Sequence, residues 1–255
     1  MIRRRGETLR LLDLFCGRWG WSREFAKRGW ECVGVDMQEP PEIPQNCQWL
    51  GRDVLTLSAK WIAENGFDFI CASPPCEEFS VWGMPHFHPH PKYPALGIRL
   101  FNHTREICEK TDLPYVIENV RSAQLFVGPP TSHCGPFYLW GSKGVPVLLP
   151  QGIRKGMVMG AYSLINELKR NGDREAIKAY RRKFDLTWNS SKSPERKEAT
   201  ARAATIPPEL AACVAEYATR ICGHAPDKTQ EVWPCAKEAV LVSPIEAASV
   251  EGSHL

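Results

Sequence analysis

Thr8-Leu9-Arg10-Leu11-Leu12-Asp13-Leu14-Phe15-Cys16-Gly17-Arg18-Trp19-Gly20-Trp21-Ser22 is the stretch on which the fold turns. Thr8 to Leu14 is an apolar run long enough for a strand, and Gly17 and Gly20 close it. A helix over 21–28 is predicted to follow. A glycine-bearing turn between a first strand and a helix lets backbone approach a cofactor closely, at the carboxyl edge of a parallel sheet. The glycines do not spell GxGxxG, so the turn alone fits a purely structural role equally well.

The same rhythm continues outward. Short strands are predicted at 32–35, ending in Asp36, and at 48–50, 67–72 and 115–117, with helices near 57–64 and 96–110 between them. Continuous apolar strands alternating with helices imply an α/β fold, a parallel sheet covered on both faces. After 120 the rhythm breaks, and Gly and Pro punctuate 128–150. Helices are predicted over 162–170 and 173–184. Another follows Ile206-Pro207-Pro208, with Leu210, Val214, Tyr217 and Ile221 on one face and Gly223 as its stop. From His224 onward no periodicity is visible.

The chain has 255 residues, 43% hydrophobic and 24% charged. These values suit one large globular domain and exclude wholesale disorder, collagen-like and coiled-coil architectures. No apolar stretch is long enough to span a membrane. The basic N-terminus leads into a run that holds Asp13 and lacks a cleavage-site pattern, so no secretion signal is expected. Ten cysteines with no CxxC pair, several inside apolar runs, read as reduced thiols of a cytoplasmic protein. Net charge is +3, yet 151–198 carries twelve basic residues against six acidic ones. A basic segment on a near-neutral body fits a polyanion contact or a solvated helical face.

Three sites carry chemistry. The first is the 13–22 turn with Asp36, whose carboxylate at a strand end can accept hydrogen bonds from ribose hydroxyls. The second is Ser73-Pro74-Pro75-Cys76-Glu77-Glu78-Phe79-Ser80, directly after the fourth strand. Two prolines fix the backbone and present Cys76, a candidate nucleophile, at the same edge. The third is Glu118-Asn119-Val120, where a carboxylic acid at the next strand end can bind a base or act as a general acid.

Together these stretches resemble the DNA cytosine-5 methyltransferase family. The matching motifs are DLFCGRWGWS (13–22), GVDM (34–37), GRDV (51–54), SPPCEEFS (73–80) and ENV (118–120), with Ile206-Pro207-Pro208-Glu209-Leu210 similar to the family's last motif. The compact layout looks most like small phage and prophage members. The resemblance implies a Rossmann-like S-adenosylmethionine-dependent methyltransferase sheet with a small target-recognition region. It implies S-adenosylmethionine over Phe15, Gly17 and Gly20, Asp36 on its ribose, Asp53 and Val54 near its adenine, and Pro74 beside it. It also implies a flipped cytosine attacked at C6 by Cys76, with Glu118 at N3, and methyl transfer to C5. Ser80, Asn119 and Arg121 would contact duplex DNA, and Arg181, Arg182 and Lys183 its phosphates.

The expected organisation is a catalytic core over 1–150, a basic target-recognition region over 151–198, a helix over 199–223 returning to the core, and a loose tail over 224–255. The protein is expected to act as a cytoplasmic monomer, without a metal. His86, His88 and His90 tempt a metal reading, but no cysteine or carboxylate completes a set, and the family places a DNA-closing loop there. Three departures stand out. Trp19 replaces the family's usual glycine, where a large ring would crowd the methionine part of the cofactor or move the loop. Glu77 replaces glutamine after the nucleophile. The family's arginine-bearing motif has no match near 135–155, which leaves Arg121 or Arg154 to supply that cation. Two alternatives remain open on the residues alone: a tRNA cytosine methyltransferase with the same cysteine, and an inactive nucleic-acid-binding relative.

Overall fold

A computed structural model of the chain describes residues 8–82, 92–142, 168, 170–183 and 205–223, with backbone alone for 180–183. Its centre is a seven-stranded sheet: β1 (Arg10–Leu14), β2 (Glu31–Asp36), β3 (Cys47–Gly51), β4 (Phe69–Ala72), β5 (Tyr115–Asn119), β6 (Ser132–Cys134) and β7 (Phe137–Gly141). The strand order is β3-β2-β1-β4-β5-β7-β6. The first five strands are parallel, and the chain reverses direction of travel across the sheet between β1 and β4. In open α/β sheets the crevice at such a switch point, outside the carboxyl ends of the strands, is where ligands bind. The fold is the expected Rossmann-like α/β sheet.

Two faces of that sheet bury two cores. Leu11, Cys32, Phe69, Cys71 and Val116 point to one side, where α1 (Ser22–Ala26) and a long C-terminal helix, Pro208–Gly223, cover them. Leu12, Val33, Val35, Ile70 and Ile117 point to the other, under α2 (Ala59–Glu64), α3 (Glu77–Trp82) and α4 (Ala95–Glu109). Burial on both faces is why these strands read as unbroken apolar runs. A short α5 (Gln124–Val127) follows β5. The helix Arg174–Lys183 is α6, and the C-terminal helix is therefore α7.

The sheet is not wholly parallel, contrary to the expectation from its first half. β7 runs antiparallel to both β5 and β6. The stretch read as irregular is a hairpin whose tip, Gly135-Pro136, joins the paired residues Cys134 and Phe137, with Gly135 at a φ of 55° that favours glycine. A hairpin needs no crossover helix, so the alternation that marks the first five strands is missing here. A smaller correction concerns α7. Leu210, Val214 and Tyr217 are buried as expected, but Ile221 is 38% exposed. The buried stripe is widened instead by Ala211, Ala215 and Ala218.

α7 returns to the first loop. A Cβ on Gly20 would lie 2.8 Å from the Ile206 backbone nitrogen, so the absent side chain is what lets the two segments touch. Further along, the Trp30 indole donates to Thr219 Oγ1 at 2.9 Å. Most of the expected helix over 162–170 and of the basic 151–198 region, the histidine segment, Arg154 and the 224–255 tail lie outside the described residues. Among the described residues no helix is long and apolar enough to cross a membrane.

Candidate active site

Three loops meet at the carboxyl edge around the switch point. The β1–α1 loop is strained: Phe15, Gly17 and Trp19 all have positive φ, at 58°, 45° and 64°. A left-handed conformation in a non-glycine residue costs about 1–2 kcal/mol, and such positions cluster at functional loops. Gly17 is exposed, and a Cβ there would meet only the Phe15 carbonyl oxygen, at 3.9 Å. Its backbone therefore faces open space at the edge.

Asp36, at the end of β2, holds this loop. Its Oδ2 accepts from the Gly17 N–H at 3.1 Å and its Oδ1 from the Gln38 N–H at 3.0 Å. The Trp49 indole donates to the Asp36 carbonyl at 3.2 Å. Each carboxylate oxygen keeps a second acceptor position. Asp36 therefore has the free lone pairs that a pair of vicinal hydroxyls needs, beside an exposed glycine backbone.

Trp19 has a φ of 64°, a conformation that favours glycine, and its ring turns inward. The indole is fully buried on the sheet face against Gly34 of β2, and its N–H donates to the Glu42 carbonyl at 2.9 Å. Arg23 pairs with Glu42 on the same β2–β3 loop. Arg18, Trp19, Arg23, Pro41 and Glu42 line a shallow pocket outside this contact.

Asp53 and Val54 stand after β3. Asp53 Oδ1 caps a single helical turn, Val54–Thr56, by accepting from the Leu55 N–H at 2.9 Å. Val54 is 2% exposed and its carbonyl meets His103 at 3.1 Å. Its side chain belongs to the core and not to a ligand surface, because this turn packs against α4.

The second loop carries Cys76. Pro74 is buried, Pro75 exposed and Cys76 half-buried. The Asn119 amide donates to the Pro74 carbonyl at 3.0 Å, and the Trp21 indole donates to Ser73 Oγ at 3.0 Å. Beyond Cys76, α3 is anchored on two sides. Glu78 accepts from the Gly97 N–H at 2.7 Å, capping α4, and Ser122 Oγ donates to the Phe79 carbonyl at 2.6 Å. Ser80 is half-buried, and its N–H bonds back to the Cys76 carbonyl at 2.8 Å. The thiol thus sits between two proline-fixed residues and a docked helix.

The third strand end carries Glu118 and Asn119. β4 and β5 are in register at Ala72 and Ile117, so Glu118 and Ser73 are the next residues on adjacent strands. Glu118 is 8% exposed and Asn119 fully buried. Asn119, expected to touch nucleic acid, does not reach solvent. Its amide nitrogen holds Pro74, and its Oδ1 accepts from the Val120 N–H at 2.8 Å. Its bond to the Pro74 carbonyl holds it inward, where it positions the Cys76 loop. Arg121 is exposed immediately after Val120, at the mouth of the same edge. Arg181, Arg182 and Lys183 fall in α6, and their side chains lie outside the described residues.

Burial pushes Cys16, Cys71 and Cys108 up, and pushes Cys134 up to about 11. A thiol held protonated is a poor nucleophile. Among the described thiols, Cys16 and Cys76 follow the two strands that flank the switch point, and of these Cys16 is buried and Cys76 half-buried. Asp13, fully enclosed under the first loop, is pushed up to about 7 by burial, against hydrogen bonds from Ser22 Oγ (2.6 Å) and the Ser22 N–H. Its other oxygen, Oδ1, has no hydrogen-bond partner. Trp21, Ser73, Glu78 and Ser122 are site residues that sequence reasoning missed. Only Trp21 gave a signal, since a buried indole N–H requires an acceptor.

No protein-family model matches the chain, and no curated protein matches it. Solved structures overlap it in part. Similarity to the S. pombe Dnmt2 methyltransferase covers 46% of this chain and 35% of that one, at 18% identity and a TM-score of 0.30. For a Spodoptera frugiperda DNMT2 variant the figures are 58% and 53%, 18% and 0.36. For the Entamoeba histolytica methyltransferase EhMeth they are 48% and 41%, 16% and 0.32. The chain spans about a third to a half of the length of these solved chains. The fold assignment rests on the strand order itself and not on these overlaps.

Proposed function

We propose that the protein transfers a methyl group from S-adenosylmethionine to C5 of a cytosine in duplex DNA. The observation that carries this reading is the convergence of Cys76 and Glu118 on neighbouring strand ends, beside the Asp36–Gly17 cradle. The residues fit the cofactor. Asp36 retains acceptor capacity for ribose hydroxyls, Gly17 leaves its backbone open, and the Trp19 ring is stowed against Gly34. When bound, S-adenosylmethionine supplies an electrophilic methyl group.

The chain's own residues do the rest. An unactivated pyrimidine C5 is a poor nucleophile, so the ring must first gain electrons. The Cys76 thiolate forms a bond to C6, which moves an electron pair toward C5 and N3. Glu118, enclosed at its strand end, holds a proton at N3 and stabilises the charge that develops there. After C5 has gained its methyl group, loss of the C5 proton to a base returns the pair to the C5–C6 bond and expels Cys76 as thiolate. Asn119 and Trp21 hold the Cys76 loop through Pro74 and Ser73 while this happens. The basic region over 151–198 supplies phosphate contacts, and the C-terminal helix closes the first loop through Ile206.

Nucleoside mass spectrometry tests the reading. Purified protein is incubated with S-adenosylmethionine and either unmethylated duplex DNA or tRNA. 5-Methylcytosine in DNA, absent with Cys76→Ala, is the expected result. Product in tRNA alone would reassign the substrate and keep the chemistry. Product from Cys76→Ala would sink the mechanism.

A further inference from the structure

Beside the Cys76 loop lies an aromatic surface that the proposed chemistry leaves unused. Trp82 ends α3, six residues after Cys76 and so about 9 Å along the helix. It meets Phe126 at 5.3 Å and 70° between ring planes, and Tyr93 meets the same ring at 5.8 Å and 85°. Neither outer ring is stacked flat on Phe126. Trp82 is 38% exposed, Tyr93 66%, and the flanking Leu96 and Leu125 are 52% and 71%. Large apolar side chains gathered in one exposed patch mark an interaction surface.

Its rim is cationic. Lys92 precedes Tyr93 and its carbonyl accepts from the Trp82 indole at 2.9 Å. Arg99 lies one turn along α4 from Leu96, and Arg121 opens the turn that Ser122 fastens to α3. All three are exposed. On the acidic side, Glu77 is exposed and Glu78 is engaged in capping α4. Exposed rings ringed by cations match a nucleic-acid strand whose bases are free to stack while its phosphates meet the rim. A wholly paired duplex offers no free base face at its side.

We infer that Trp82 and Tyr93 form a stacking surface for an unpaired base close to the target nucleotide. The inference rests on the proposed function for its placement beside the target, but not for the ring surface itself. It narrows the substrate: a target cytosine flanked by an unpaired, bulged or strand-end nucleotide is held better than one inside continuous duplex.

The test is binding of the full-length protein to labelled oligonucleotides by fluorescence anisotropy. The probes are a short single strand, its perfect duplex, and that duplex with one unpaired nucleotide beside the cytosine. Wild type should favour the interrupted duplex over the perfect one. Tyr93→Ala, at the most exposed ring, should weaken single-strand and interrupted-duplex binding about tenfold and perfect-duplex binding less than about twofold. Trp82→Ala should do the same, with Trp82→Phe restoring most of the affinity. Equal loss on all three probes, no loss at all, or no binding of any oligonucleotide by wild type would each overturn the inference. Methyl transfer by wild type is read separately. Transfer without ring-dependent binding removes only the stacking surface, and ring-dependent binding without transfer removes only the chemistry.

Discussion

The Trp19 indole lies so close over Gly34 that a Cβ on Gly34 would come within 2.3 Å of it and within 2.7 Å of Cys16 Sγ. A missing side chain on β2 is therefore the seat for a ring that enters from the β1–α1 loop. Gly34→Ala should destabilise the fold by about 3 kcal/mol, the upper range for forcing atoms into a packed core. Trp19→Gly should cost about 2 kcal/mol, since losing a buried indole outweighs relief of the positive φ. The double variant should lose less than the sum of the two. Urea unfolding of the four proteins measures the coupling, and strict additivity would contradict the contact.

Asp13 should make stability depend on pH. Its pKa is raised from 3.8 to about 7 by burial. The folded state therefore keeps a proton that the unfolded chain releases at lower pH. Stability is full below about pH 4 and falls as pH rises to about 7, by about 4 kcal/mol. Asp13→Asn should flatten that part of the profile. An unchanged difference between the two proteins from pH 4 to 8 would show that Asp13 ionises normally.

Asn119 is expected to matter for rate through position. Asn119→Ala leaves the buried Pro74 carbonyl without its donor, which costs about 1–3 kcal/mol of stability. Methyl transfer should fall with little change in oligonucleotide affinity, because the side chain does not reach solvent. A parallel loss of affinity would return Asn119 to the substrate surface.

Glu118→Gln keeps the size of the side chain and removes its acid. Transfer should drop about a hundredfold or more, the usual scale for a general acid. Single-turnover kinetics with cofactor in excess measures it, and full activity would exclude Glu118 from the chemistry.

Gly20→Ala would press a methyl group against Ile206. The segment leading into α7 should lift from the first loop, weakening S-adenosylmethionine binding and exposing the segment to protease. Calorimetry and limited proteolysis read the two effects. Unaltered cleavage would mean that Ile206 shifts without undocking.

Much of this is legible in the sequence. Strands buried on both faces must be apolar throughout, so β1, β2, β4 and β5 stood out, and Asp36, Cys76 and Glu118 ended or followed them. The hairpin did not, because Phe137 to Trp140 is too short a run to distinguish strand from loop. The burial of Asn119 is not legible, because the inward turn of a strand's last residue depends on the neighbour it meets, here Pro74. The Trp19 ring could not be placed because its site is an absence, the missing side chain of Gly34. Glu78 and Ser122 looked like surface polar residues, and only tertiary contact reveals a cap and a strut.

The hydrogen bond from Trp21 to Ser73 joins the loop offered to a cofactor with the loop that carries the nucleophile. Any adjustment of one loop that strains this bond is felt in the other. If filling the first alters affinity at the second by some factor, filling the second must alter affinity at the first by the same factor. A single indole N–H thus makes the order of ligand arrival a property that Trp21→Phe can change, without touching either ligand.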